Sequence, residues 1–188
     1  MKARNYAIDN YNDTDSGAYY YFSGSNCTNF VSQCLVYGGV SQVNNPEFVN
    51  QSVLPTTSYI FDGDKTYRYW FMKKKISKIE FNRPYYLTTQ NWTVVKEFRI
   101  YQNHHRGTAY EYNNTASGRQ ALINKLNIGD IVQVGDEHSV IITAIEDFTA
   151  GDVKYCGQSS SRCNEPLSTL FRFADQKECS KLYLIKLK

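Results

Sequence analysis

An α+β fold, with N-terminal helices packed on a C-terminal antiparallel β-sheet, is what the order of hydrophobic periods in this chain predicts. Cys27, Phe30, Val31, Cys34 and Leu35 fall at i, i+3, i+4, i+7 and i+8, the stripe of an amphipathic helix. The last third instead holds short β-branched runs, Ile131-Val132-Gln133-Val134 and His138 through Ile145, split by a turn at Gly135-Asp136. Helices followed by a meander of strands build an α+β rather than a doubly wound architecture.

The elements follow in order. Residues 2–11 read as a short helix with Ala3, Tyr6, Ala7 and Asn10 on one side. An aromatic run, Tyr19-Tyr20-Tyr21-Phe22, ends at Ser23-Gly24-Ser25. Ser25 and Asn26 are good N-cap types for the helix that opens at Cys27, and Gly38-Gly39 is a fitting stop. From Val40 to Arg83 the chain is polar, aromatic and irregular, and is expected to form loops and short elements on one side of a cleft. Asn91 through Tyr101 reads as a second helix with Trp92, Val95 and Phe98 inward, and residues 103–116, with His104-His105, as a loop. Ser117-Gly118-Arg119-Gln120 has the capping-box pattern and opens a short helix to Leu126. Val153 to Cys156 and Leu182 to Ile185 are expected as further strands of the same sheet. No repeat, low-complexity tract or linker interrupts the chain, so residues 1–188 are expected to form one domain.

Composition narrows the function classes. With 41% hydrophobic and 21% charged residues the chain is globular rather than disordered. Its 15% aromatic content, rich in Tyr, suits either ordinary packing or the walls of a groove for a polar polymer or peptide. A net charge of +3 is too weak and dispersed for nucleic-acid binding. The one dense basic run, Lys73-Lys74-Lys75 with Lys78, reads as a solvated face that could also attract an anionic polymer such as a cell wall. No stretch approaches the ~18 apolar residues of a membrane span. No signal peptide opens the chain, which leaves a cytoplasmic protein or a mature domain cut from a longer secreted precursor. An abrupt start on a helix-like sequence favours the second. None of the five cysteines forms a C-x-x-C pair and His138 lacks neighbours at ligand spacing, so no metal is implied. Their odd number fits one reactive thiol with up to two disulfides, or five free thiols.

The chemistry centres on Cys27 and His138. A thiolate is the reactive form of cysteine, and both a helix N-terminus and an adjacent imidazolium favour it. Cys27 stands in the first turn of its helix, where free backbone N–H groups also offer an oxyanion hole. His138 stands where a turn enters a buried strand, a rigid mount at a cleft edge. The plain alternative is a small buried cysteine and a histidine at the surface, and pattern alone does not link the two in space. His104 and His105 are rival bases, but their polar surroundings read as solvated.

The segment Asn26-Cys27-Thr28-Asn29-Phe30-Val31-Ser32-Gln33-Cys34 strongly resembles the nucleophile motif of the bacterial family called putative amidase domains, itself similar to CHAP and NlpC-type cysteine peptidases of the papain-like superfamily. Lys2 to Tyr11 resembles that family's opening helix, Trp70 falls in its Tyr-Trp region, and Asn91-Trp92-Thr93-Val94 resembles its central block. Gly129 to Val134 followed by His138 to Thr143 resembles its histidine block. The resemblance implies a papain-like fold with a half-barrel sheet, Cys27 as nucleophile, His138 as general base and then acid, and no cofactor. It makes Asn26, Thr28 and Asn29 active-site neighbours and Trp70 and Trp92 candidate substrate contacts. Two departures stand out: the family usually carries aspartate where this chain has Asn26, and often histidine where Gln158 falls. A Gln158 carbonyl could still orient the imidazole, but it lacks a carboxylate's charge.

The implied activity is a secreted or cell-wall-associated hydrolase of peptidoglycan or peptide amides, acting through a thioester. A non-catalytic wall-binding module is the alternative that Asn26 and Gln158 motivate. A toxin-like deamidase or transglutaminase acting on protein would use the same pair.

Overall fold

The computed structural model describes residues 1–14, 17–50, 58–63, 67–76 and 84–188. Helix α1 (Lys2–Asn10) lies against α2 (Cys27–Tyr37), and the two approach closely where a Cβ on Gly38 would come within 2.9 Å of the Ala3 Cβ. α2 is buried from Cys27 to Leu35, because it is covered on both sides and not only along its apolar stripe. Its last turn closes through the Gly38 N–H to the Cys34 carbonyl at 2.8 Å, and Gly39 then leaves at φ +103°, as the paired glycines predict. α3 (Pro46–Asn50) follows.

Short elements do form among the described residues of 40–83, and with a strand just beyond that range they build a sheet. Strands β1 (Tyr59–Asp62), β2 (Met72–Ile76) and β3 (Pro84–Thr89) form a three-stranded sheet in the order β1-β3-β2, with β1 parallel and β2 antiparallel to β3. A strand that begins Met-Lys-Lys-Lys carries no clean alternation, and β3 is buried from Tyr85 to Thr89, so neither shows a period-2 signature. The basic run is largely solvated as expected for Lys73 and Lys74, while Lys78 lies outside the described residues.

The second helix is two helices. α4 (Gln90–Thr93) and α5 (Val95–His105) are divided by Val94, a single residue in extended conformation. Trp92, Val95 and Phe98 point inward as predicted. The expected loop over 103–116 is instead the end of α5 followed by β4 (Gly107–Asn113). The cap of α6 (Ala116–Ile123) is Thr115, whose hydroxyl accepts from the Gly118 N–H at 3.2 Å, so the helix starts before the Ser117 pattern.

The larger sheet has six strands, adding β5 (Ile131–Val134), β6 (His138–Ile145), β7 (Val153–Gly157), β8 (Arg162–Pro166) and β9 (Lys181–Leu187). Their order is β4-β9-β5-β6-β7-β8, antiparallel at every pairing. The chain is thus a mixed α+β protein. Helix α7 (Leu167–Gln176) packs Leu167, Leu170, Phe171 and Ala174 onto one face of the sheet beside Val140, Ile142 and Leu184. The other face meets the N-terminal helices through two groups: Ile131 and Ile185 with Val31, Trp92 and Phe98, and Ile141 with Ala7, Phe30 and Cys34. Each fully buried Val, Leu, Ile or Phe among them contributes about 1.5–3 kcal/mol. Cys156 and Cys163 form a disulfide that staples β7 to β8, leaving Cys27, Cys34 and Cys179 free. No helix among the described residues is long and apolar enough to cross a membrane.

Candidate active site

A cleft of about 880 Å³ opens where the start of α2, the α4–α5 joint, the β5–β6 turn, the β7–β8 turn and α7 converge. Cys27 and His138 both line it. His104 and His105 are solvent-exposed at the end of α5 and do not line it.

Cys27 is 6% exposed, enough to put its sulfur at the cleft surface without leaving it in solvent. Its N-cap residue, Asn26, makes no side-chain cap bond. Among the described residues the N–H groups of Cys27, Thr28 and Asn29 have no acceptor, the positive end that an α-helix offers to a developing anion. The Thr28 hydroxyl, 3.8 Å from the Cys27 sulfur, lies 3.1 Å from the Ser139 hydroxyl on β6. Ser139 in turn accepts from Gln133 Nε2 at 3.0 Å, so the nucleophile helix and the histidine strand share one buried polar link.

His138 opens β6 opposite Val134. Strand alternation sends Ser139 and Ile141 toward the N-terminal helices and His138, like Val140 and Ile142, toward α7. The ring packs on Phe173 at 5.5 Å between centroids. Among the described residues it makes no hydrogen bond, to Cys27 or to an orienting group, so the tautomer is not fixed by a partner. Burial, and secondarily the Arg162 guanidinium, push the imidazole down to about 4. At neutral pH it is therefore an uncharged base. The backbone comes close at Gly157, where a Cβ would lie 3.6 Å from His138 Nε2 and 3.2 Å from Val140 Cγ1.

Gln158 is not an orienting partner of His138. Its carbonyl accepts from Asn26 Nδ2, and its amide donates to the Asn10 and Asp13 carbonyls at 2.9 Å each. It is 3% exposed, and the bonds to Asn26 and the two carbonyls hold its amide group in place. Asn26 is as fully committed: its Oδ1 accepts from the Phe22 N–H at 3.0 Å and from Asn29 Nδ2 at 2.7 Å, and its own N–H donates to the Ser159 hydroxyl at 3.0 Å. Asn26 and Gln158 are thus bonded to each other. Together they fix the turn that leads into Cys27.

Trp70 and Trp92 do not contact the cleft. Both are 0% exposed, their rings 4.6 Å apart in the core, and Trp92 Nε1 donates to Asn29 Oδ1 at 2.7 Å. Their size makes them core pillars, and the polar atom of Trp92 is used to position α2. A family profile described as Putative amidase domain matches residues 1–183. The chain belongs to this amidase family. Neither the curated proteins nor the solved structures include a match to it. Amidase-family membership points to hydrolysis of an amide bond at that coarse level.

Several cleft residues carry no functional signal in the sequence. Tyr155, Arg162, Arg172 and Phe173 all line it. The spacing of Leu167, Leu170, Phe171 and Ala174 (i, i+3, i+4, i+7) after Pro166 is the pattern that would have revealed α7 and with it this wall.

Proposed function

We propose that this amidase-family protein is a cysteine-dependent hydrolase of papain-like type acting on peptide or peptidoglycan amides. The observation that carries the reading is a cleft bordered both by the thiol at a helix N-terminus without a side-chain cap and by a neutral, half-buried imidazole. The single-domain organisation and a secreted or wall-associated location belong to the same proposal, the latter favoured by the Cys156–Cys163 bridge, since such bonds persist in oxidising compartments.

In this mechanism His138 accepts the Cys27 thiol proton as sulfur attacks the scissile carbonyl carbon. The carbonyl π pair moves to oxygen, where the unpaired N–H groups at the start of α2 receive the charge. Collapse breaks the C–N bond, and the imidazolium returns its proton to the departing amine. A water then attacks the thioester, giving up a proton to His138, and the carboxylic acid leaves as the thiol is restored. Catalytic hydrogen bonds are often long before substrate binds and tighten in the complex. Turning of the His138 ring from Phe173 toward Cys27 is the step this scheme requires.

The test uses isolated cell walls and mass spectrometry of what is released. Wild-type protein should liberate amine- or peptide-bearing fragments, and Cys27→Ala protein should liberate none. Activity that persists in Cys27→Ala would refute the assignment. A wall-binding module on the same fold is the second reading; it predicts slow, ordinary labelling by a thiol-selective electrophile, whereas the enzyme predicts selective labelling at Cys27. A deamidase or transglutaminase using the same pair would instead modify protein glutamines and leave walls intact.

A further inference from the structure

The cleft wall facing β6 carries more positive charge than its local acids balance. Arg162 on β8 and Arg172 on α7 both line it, and among the described residues neither guanidinium is in an ion pair. The Arg172 guanidinium is held by a bond to the Thr169 hydroxyl one turn back, at 3.2 Å. Tyr155 lines the same wall; burial above all raises its phenol, while Arg162, and least Arg172, pull it down and Glu165 pushes it up. Against these two guanidiniums Glu165 is a single acid, and it is in no ion pair with either among the described residues. Of the acids on the opposite rim, Asp136 is taken by Arg99 at 2.7 Å, which leaves Glu137 there. Lys177 adds a further cation at the end of α7.

We propose that Arg162, Arg172 and Tyr155 form a subsite for a carboxylate carried by the bound substrate, so that the cleft selects acidic peptide segments over neutral ones. The inference rests on reading the cleft as the substrate site of an amide hydrolase and names the chemistry of what enters it. A guanidinium binds a carboxylate with two parallel N–H donors, and a phenol hydroxyl adds a third. Glu137 on the other rim repels the same group and so sets its direction. Because Arg162 lines the cleft with His138 and acts on its imidazole, the carboxylate and the bond presented to His138 fall within one bound segment.

Binding, not turnover, tests it. Soluble cell-wall peptides with free carboxylates, and the same peptides with those groups converted to carboxamides, are titrated calorimetrically into Cys27→Ala protein. The free-acid pool should bind about tenfold more tightly than the amidated pool, a gap typical of a charged, bidentate contact. The gap should shrink in Arg172→Gln and in Arg162→Gln, narrow with added salt, and partly persist in Arg172→Lys. Both exposed-wall variants are checked for an unchanged thermal midpoint, and a neutral peptide serves as the reference ligand for each. Equal affinity for the two pools, absence of binding by both, or a gap untouched by either arginine substitution overturns the proposal. Hydrolysis by the wild-type protein is measured separately: carboxylate-selective binding without cleavage would sink the hydrolase reading and leave the subsite standing.

Discussion

The Thr28 hydroxyl and the Ser139 hydroxyl stand 3.1 Å apart, joining the residue after the candidate nucleophile to the residue after the candidate base. The link continues through Gln133, which binds the Val95 carbonyl at 3.0 Å and accepts from Arg99 at 3.1 Å. Both ends of the cleft's chemistry are therefore set by one buried polar chain. Thr28→Val should cost about 1–2 kcal/mol of stability by leaving buried partners short of a bond. A double-mutant cycle with Ser139→Ala, followed by chemical denaturation, should show a coupling energy above about 0.5 kcal/mol. Strict additivity would show that the two hydroxyls do not interact.

The depressed His138 imidazole fixes a pH dependence. Its folded value, about 4, lies below the 6.5 of an unfolded histidine, so between these values the unfolded chain binds the extra proton. Stability then rises with pH across that window and is lost as pH falls from 6.5 toward 4, by up to about 3 kcal/mol. Denaturation curves of His138→Gln protein should lack this part of the slope. The same neutral base places the acid limb of kcat/KM near pH 4 rather than near 6.5.

Arg162 is the smaller cause of that depression and burial the larger. In Arg162→Gln protein the His138 resonance, one of only three histidines to assign, should titrate at higher pH than in wild type but still below 6.5. A titration unchanged by the substitution would place the guanidinium too far away to matter.

Gly157 is a close-approach glycine with an ordinary φ, so what a side chain costs there is space. Gly157→Ala puts a methyl 3.2 Å from Val140 Cγ1 and 3.6 Å from His138 Nε2. The first contact is tight and the second an ordinary van der Waals one, so Gly157→Ala should cost about 1 kcal/mol of stability through Val140 and leave kcat close to wild type. Gly157→Val adds bulk beyond that contact and should lower kcat on the order of tenfold with a small effect on KM. A kcat equal to wild type in Gly157→Val would show that crowding beside the ring does not reach the reaction.

Asn26 and Gln158 make a prediction in pairs. Asn26→Asp removes the donor to the Gln158 carbonyl and sets two oxygens against each other in a site 1% exposed at Asn26. It should destabilise by about 1–3 kcal/mol. Adding Gln158→His, which supplies a donor, should recover much of that in thermal melts. If Asn26→Asp alone is neutral, the amide pair is not what holds the turn.

The parts of this fold that follow one face at a time could be read in the chain. Cys27 to Leu35 keep helical spacing and end at glycines; β5 and β6 are β-branched runs either side of a glycine turn. Elements buried on two faces, or formed from polar residues, hide themselves. β3 is buried almost throughout, and β2 opens with three lysines after its methionine. Trp70 and Trp92 lie in regions that resemble family blocks, yet bulk places both in the core, and no local pattern distinguishes a buried tryptophan from one in a groove. The role expected of Gln158 failed because a side chain's partner depends on a contact 132 residues away in sequence, with Asn26. The proximity of Cys27 and His138 to one cleft came from recognising motifs in order, since nothing local connects them.

The staple between Cys156 and Cys163 has a practical corollary. It closes the hairpin that carries Gln158, Ser159 and Arg162, and Ser159, held at φ +98°, grips the Asn26 amide just ahead of the sulfur at Cys27. Reducing agents added to protect that sulfur would also cut the staple and loosen the clasp on its helix. Strong dithiol should therefore lower activity by releasing the clasp, even with the Cys27 thiol intact. A mild monothiol, with the bridge checked by mass, is the fairer medium.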